Sequence, residues 1–321
     1  MSAAHYAKPT TAVAAWTLRA LALPLLVTAA LACASADADS PSPPTPADGV
    51  SSGERWVYWL QDPDPDVLTD RDEAILVIDY SRDGTEDAAL SRDEVTALRA
   101  GVAEPRTVLA YLSIGEAEDY RFYWEPTWRT APPEWVEREN PDWPGNFKVR
   151  YWRPDWQSII FGNPDAYLDR LIAAGFSGVY LDIIDGYEYF QDLGRSSAED
   201  EMVEFVRSIS SYAKARAPGF LIVPQNAPEL GRRADYLEAV DGVAQEGLYY
   251  GFDEEGAATD PAVTELLEAH LDRFVEANKL VLVVDYTSSS EQTRDAHRRA
   301  WSRGYASTAA SVRLDGLPRP E

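Results

Sequence analysis

Gly178-Val179-Tyr180-Leu181-Asp182-Ile183-Ile184 is a seven-residue apolar run broken by one carboxylate. Its length, its β-branched residues and the glycine that opens it read as a strand buried on both faces, the pattern of a parallel sheet. Seven more runs of this kind are bounded by turn or helix signals: Trp56 to Leu60, Ala74 to Tyr80, Thr107 to Ile114, Phe220 to Pro224, Gly242 to Glu246, Leu280 to Tyr286 and Tyr305 to Ala309. Helical stretches lie between them. Ser91-Arg92-Asp93-Glu94 is a capping box whose helix closes at Gly101, and Asn163-Pro164 supplies an N-cap and N1 proline for a helix ending at Gly175. Further helices are expected from about Ser197 to Pro218-Gly219, Pro261 to Asn278 and Ser289 to Arg303. Alternation to a count of eight strands selects an α/β fold, the (β/α)8 TIM barrel, over an open doubly wound sheet. No G-x-G-x-x-G or G-K-[ST] phosphate signature follows any strand.

In such a barrel the site stands at the C-terminal ends of the strands. Asp79 follows the second strand and Glu116 the third; Asp182 and Asp185 lie on the fourth, Gln225 and Asn226 follow the fifth, Glu246 lies on the sixth and Asp285 on the seventh. A carboxylate in an apolar run is costly to bury unless it is paired or used. A salt bridge or helix cap is the ordinary explanation for any one of them; five strands with the same anomaly point to a site. Two carboxylates facing each other are the minimal kit for glycosidic bond cleavage, one protonating the leaving oxygen while the other attacks the anomeric carbon or activates water.

Other chemistries lack their residues. His5 falls in the leader, and His270 and His297 fall in helices, so neither a zinc site nor a histidine-based nucleophile is expected. An all-carboxylate Mg2+ or Ca2+ site is the remaining metal alternative; no metal and no cofactor are expected. One connection, Glu116 to Asn163, is long and holds six of the ten tryptophans, among them Trp124, Trp128, Trp135 and Trp156. Loops of that length on a compact barrel are usually functional. Most of these rings are expected to pack the loop down, with one or two free to stack on a sugar face.

The N-terminus reads as a targeting segment. Lys8 and Arg19 precede the apolar run Leu21 to Leu31, and Ala32-Cys33 offers a lipoprotein cleavage site, so residues 1–32 are expected to be a signal peptide and Cys33 a lipidation site. A plain secretory signal with an incidental cysteine is the alternative. Either way the protein is expected to be exported, anchored to the cell membrane or outer membrane through Cys33, or secreted. Residues 33–54 are rich in Pro, Ser, Ala and Asp and read as a linker, leaving 55–321 as one barrel domain. Cys33 is the only cysteine, so no disulfide within the chain supports the core. With Lys8 and Arg19 removed, 54 acids face 27 basic residues, a net charge of −27. That balance excludes a nucleic-acid partner, because no basic stripe neutralises phosphates; it serves solubility and favours a cationic ligand.

Tyr111-Leu112-Ser113-Ile114-Gly115-Glu116-Ala117-Glu118 with Tyr120-Arg121 and Tyr123-Trp124, then Gly178 to Asp185, Pro224-Gln225-Asn226 and Gln245-Glu246-Gly247, resemble glycoside hydrolase family 114, the endo-α-1,4-polygalactosaminidases. The resemblance covers residues 55–321 and implies cleavage of α-1,4-linked galactosamine polymers, a cationic polysaccharide of microbial exopolysaccharide. It implies Asp182 and Glu246 as the catalytic pair, with Asp182 assigned as nucleophile and Glu246 as acid/base by analogy with other α-glycosidase barrels. Asp79, Glu116, Tyr123, Trp124, Asp185, Gln225, Asn226, Tyr249 and Asp285 are then the expected substrate contacts. A non-catalytic carbohydrate-binding surface barrel, or a hydrolase of another α-glycan, are the alternatives.

Overall fold

Residues 54–320 are described by the computed structural model; the leader, Cys33 and most of the linker lie outside the described residues. The described strands are, in chain order, β1 Trp56–Trp59, β2 Ile75–Ile78, β3 Thr107–Ser113, β4 Glu116–Glu118, β5 Val136–Glu139, β6 Asn146–Val149, β7 Gly178–Asp182, β8 Leu221–Pro224, β9 Gly242–Glu246, β10 Leu280–Tyr286 and β11 Ala306–Ala310. Each of the eight expected apolar runs coincides with one of them to within two residues at either end. All eight pair in parallel, as a five-stranded sheet β1-β2-β3-β7-β8 and a three-stranded sheet β9-β10-β11. Single parallel bridges, Gln225↔Ala244 and Arg55↔Ser307, join the edges of the two sheets.

Period-two alternation divides the strand residues between two cores. Trp56, Tyr58, Leu109, Tyr111, Tyr180, Val223, Ala244, Val284 and Tyr286 form an inner cluster among the strands. Their neighbours of opposite parity, including Val57, Ile78, Val108, Val179, Ile222, Val243 and Val283, pack beneath the helices. The inner cluster is aromatic at its centre: the rings of Tyr58 and Tyr180 lie 5.1 Å apart, and Trp56 lies 5.5 Å from Tyr58.

The helices follow their caps. Ser91 and Glu94 form the expected capping box, and the helix Arg92–Ala100 ends before Gly101. The helix expected from Asn163 starts later, at Tyr167. Asn163 instead folds its side-chain oxygen back onto the Asp165 N–H, a local turn that competes with the helical cap, and the helix Tyr167–Ala174 ends on left-handed Gly175.

The long third connection is not a bare loop. β4, β6 and β5 make a small antiparallel sheet, followed by the helix Pro154–Ile160. Trp135 and Trp156 are buried with rings 4.9 Å apart, Trp128 meets Trp135 edge-on at 5.0 Å, and Trp124 stacks on Phe147 at 4.7 Å. Beneath them the fully buried Arg121 bridges Asp79 and Glu118 and lies within 6 Å of the rings of Tyr80, Tyr111, Tyr120 and Tyr167. Those ion pairs and cation–π contacts fasten the insertion to the end of β2.

Candidate active site

The register of the sheets decides which acids share a face. Asp182 is the last paired residue of β7, opposite Ser113, and Glu246 is the last residue of β9, opposite Val284. Both have the parity of the inner cluster, so both side chains emerge at its C-terminal mouth. On a parallel pair, diagonal neighbours on one face lie within reach of long aromatic side chains. Tyr111 and Tyr286 use that diagonal. The Tyr111 hydroxyl donates to Asp182 Oδ2 at 2.7 Å, and the Tyr286 hydroxyl donates to Glu246 Oε1.

The other carboxylate oxygens are also occupied. The Ile183 N–H donates to Asp182 Oδ1 at 2.8 Å, and Asn226 Nδ2 donates to Glu246 Oε2 at 3.1 Å. Tyr58, from β1, donates to Gln225 Oε1 at 3.1 Å and closes the inner side. Burial among these rings pushes the Asp182 carboxyl well above the usual carboxylate range; the facing Glu246 adds to the effect, while the Tyr111 hydrogen bond opposes it. Asp185 is pushed up to about 7 by burial and by Glu188, with Lys148 acting against it, and Glu188 to about 7 by burial and by Glu229. The mouth is thus an acidic and poorly solvated place, in which a cation would be stabilised.

The expected catalytic pair and substrate contacts separate into three groups. Asp182, Asp185, Asn226 and Glu246 stand together at the mouth. Asp79, Glu116, Gln225, Tyr249 and Asp285 are buried and otherwise engaged, and present almost no surface to a ligand. Asp79 binds Arg121; Glu116 accepts from Asn140 at 2.8 Å and from Lys148 at 3.2 Å; Gln225 holds Tyr58. Asp285 has the opposite parity to Tyr286, so it points away from the inner cluster and accepts the Tyr249 and Tyr250 amides at 2.6 and 2.8 Å. Tyr249 lies under Arg299, whose guanidinium is 4.0 Å from its ring. Tyr123 and Trp124 pack the insertion: Tyr123 takes the Glu118 amide and meets Trp156 edge-on. The residues that sequence reasoning did not single out are Tyr58, Tyr111 and Tyr286. Parity was the available signal, since alternation along Leu280 to Tyr286 turns Tyr286 inward and Asp285 outward. Among the described residues no group of three or more His, Cys, Asp or Glu is arranged to hold a metal ion.

Comparison with known proteins gives the family and the fold. A model of glycoside-hydrolase family GH114 matches residues 33–318. An uncharacterized protein of Methanocaldococcus jannaschii is 39% identical over 250 residues, covering 76% of this chain and 69% of its own. One of Thermotoga maritima is 39% identical over 249 residues, 75% of this chain and 73% of its own. The glycoside hydrolase domain of PelA from Pseudomonas aeruginosa has the same fold, with a TM-score of 0.65 at 18% identity over 84% of this chain and 98% of that one.

Proposed function

We propose, from the premise that this chain belongs to glycoside-hydrolase family GH114 and is a hydrolase of glycosidic bonds in a polysaccharide, that it cleaves α-1,4-linked galactosamine polymers with Asp182 and Glu246. In this reading the eight parallel strands act as a (β/α)8 barrel closed at its two bridged seams. The observation that carries the reading is the pair itself, two carboxylates of like parity on strand ends, each held by a phenol and close enough for Glu246 to raise Asp182.

In the proposed retaining course, Asp182 attacks the anomeric carbon while Glu246 protonates the departing oxygen, and Glu246 then takes a proton from the water that releases the sugar. A nucleophile must be ionised, and burial works against that at Asp182. A substrate ammonium entering the acidic mouth favours the ionised form, as a positive charge near a carboxylate does generally. Asp185, displaced to about 7 and neighbour to both Asp182 and Glu246, is the acid placed to meet it. This supports an amino sugar over a neutral one.

The test is cleavage of partly deacetylated α-1,4-galactosaminan, chitosan and neutral α-glucans, with product sizes read by mass spectrometry. Asp182→Asn and Glu246→Gln are each expected to abolish cleavage of galactosaminan while unfolding at the wild-type temperature. Full activity in either variant overturns the pair. Cleavage confined to another glycan overturns the substrate, and binding with intact polymer recovered overturns catalysis.

A further inference from the structure

Glu246 ends β9 with neither oxygen free. The Tyr286 hydroxyl reaches Oε1 from β10, and Asn226 Nδ2 reaches Oε2 at 3.1 Å from the turn after β8. The orientation of the Asn226 amide is not arbitrary. Its oxygen accepts from Gln245 Nε2 at 3.2 Å and from the Glu246 N–H at 3.3 Å, so its NH2 must face the carboxylate. Gln245 is in turn fixed by donating to the Glu246 carbonyl at 2.9 Å.

The backbone there is also unusual. Asn226 and Ala227 have φ of 62° and 48°, two successive non-glycine residues in the left-handed region. Asparagine enters that region more readily than most residues, but Ala227 is strained by on the order of 1–2 kcal/mol there and persists only where its surroundings hold it. The turn delivers the Asn226 side chain to β9 while its N–H bonds the Ala244 carbonyl at 2.8 Å, one residue past the bridge Gln225↔Ala244. On the opposite side Tyr286 is 4% exposed and belongs to the inner cluster, so its ring has no room to swing.

We propose that Tyr286 and Asn226 are positioning residues that clamp the Glu246 carboxyl plane from both sides, and that Asn226 serves this role rather than contacting substrate. The assignment rests on the reading of Glu246 as a catalytic carboxylate. Rotation of that carboxyl breaks two hydrogen bonds at once, so its proton-transferring oxygen stays aimed at the mouth between substrate arrival and bond cleavage. Misplacement of a reacting group by about 1 Å costs on the order of 10²-fold in rate.

Two variants isolate the clamp. Tyr286→Phe removes the phenol and keeps the ring; Asn226→Gly removes the amide, accepts the left-handed backbone and places no second carboxylate beside Glu246. Rates on galactosamine oligomers and thermal unfolding are to be measured for both, beside Glu246→Gln. The expected result is a kcat lowered roughly 10- to 100-fold with KM within about twofold and an unchanged unfolding temperature. Such a loss in one variant alone confines the role to that residue. Wild-type kcat in both variants overturns the clamp, as does a loss that appears in the unfolding temperature or in KM with kcat unchanged, the mark of a merely structural or substrate-binding role. Full turnover by Glu246→Gln is a separate failure, because it removes the catalytic reading of Glu246 whatever the two clamp variants do.

Discussion

Asp285→Asn separates a structural acid from a functional one. Asp285 has no exposed surface; burial raises its carboxyl from 3.8 to about 7 even though the amides of Tyr250 and Tyr249 favour its charged form. Its Oδ1 takes both amides, and its Oδ2 meets no donor. A folded-state value above the unfolded one means that the stability Asp285 contributes is fully present below pH 3.8 and is lost as pH rises to about 7. At about 1.4 kcal/mol for each tenfold change in equilibrium, that displacement amounts to roughly 4 kcal/mol. Asparagine keeps the accepting oxygen and has no charge to bury. Urea unfolding of both proteins from pH 4 to pH 8 is therefore expected to show similar stability at pH 4 and a gap widening through pH 7, with the variant more stable at pH 8 by up to about 4 kcal/mol. Activity is expected to persist, since the side chain faces away from the mouth. Parallel stability curves, or a variant weaker than wild type at pH 8, would refute the reasoning.

The remaining predictions concern the frame of the site. Arg121→Met leaves Asp79 and Glu118 buried without their shared cation, a change expected to cost about 3–5 kcal/mol and to lower the unfolding temperature by roughly 10 °C; calorimetry showing less than about 1 kcal/mol of loss would mean that the network is not what fastens the insertion. Gly115→Ala sets a methyl carbon 2.3 Å from the Ile183 carbonyl oxygen and 2.6 Å from its Cγ2. The backbone of the turn after Asp182 must shift, so kcat is expected to fall on the order of 10²-fold with the fold retained; wild-type kinetics would show that Asp182 tolerates the displacement.

Much of this architecture was legible because its signals are local. Val179, Ile222, Val243 and Val283 lie in continuous apolar runs since both faces of their strands are covered, and the capping box at Ser91 is a four-residue pattern. The site was half legible. Chain position brought Asp182 and Glu246 to strand ends, but it also brought Asp79 and Asp285, and only long-range facts separate them. Asp79 lies at the top of β2 with inward parity; a guanidinium arriving from 42 residues further along the chain occupies it. Asp285 was separable in principle, since it alternates with Val284 and Tyr286, which both face inward. Most tryptophans of the insertion were expected to pack it down, but sequence cannot show which rings meet: Trp124, Trp128, Trp135 and Trp156 have one another and Phe147 for partners.

The turns after the two acids show what holds the pair at the mouth. Each carboxylate is followed at once by a residue in the left-handed region, Ile183 at φ 59° and Gly247 at φ 61°. The effect is the same in both: the strand stops at the acid, and the chain turns away instead of covering it. The energetics differ. Glycine adopts that conformation without steric cost, whereas a β-branched residue is strained by on the order of 1–2 kcal/mol. Ile183 keeps it because the turn is tied down. Its N–H donates to the Asp182 carboxylate, its carbonyl accepts from Gly186 at 3.2 Å, and Gly115 lies against it with no room for a side chain of its own. The strain therefore sits one residue from Asp182, held by a hydrogen bond to that carboxylate. Protonating or substituting Asp182 weakens the bond, so the conformation of this turn is coupled to the charge of the acid it follows.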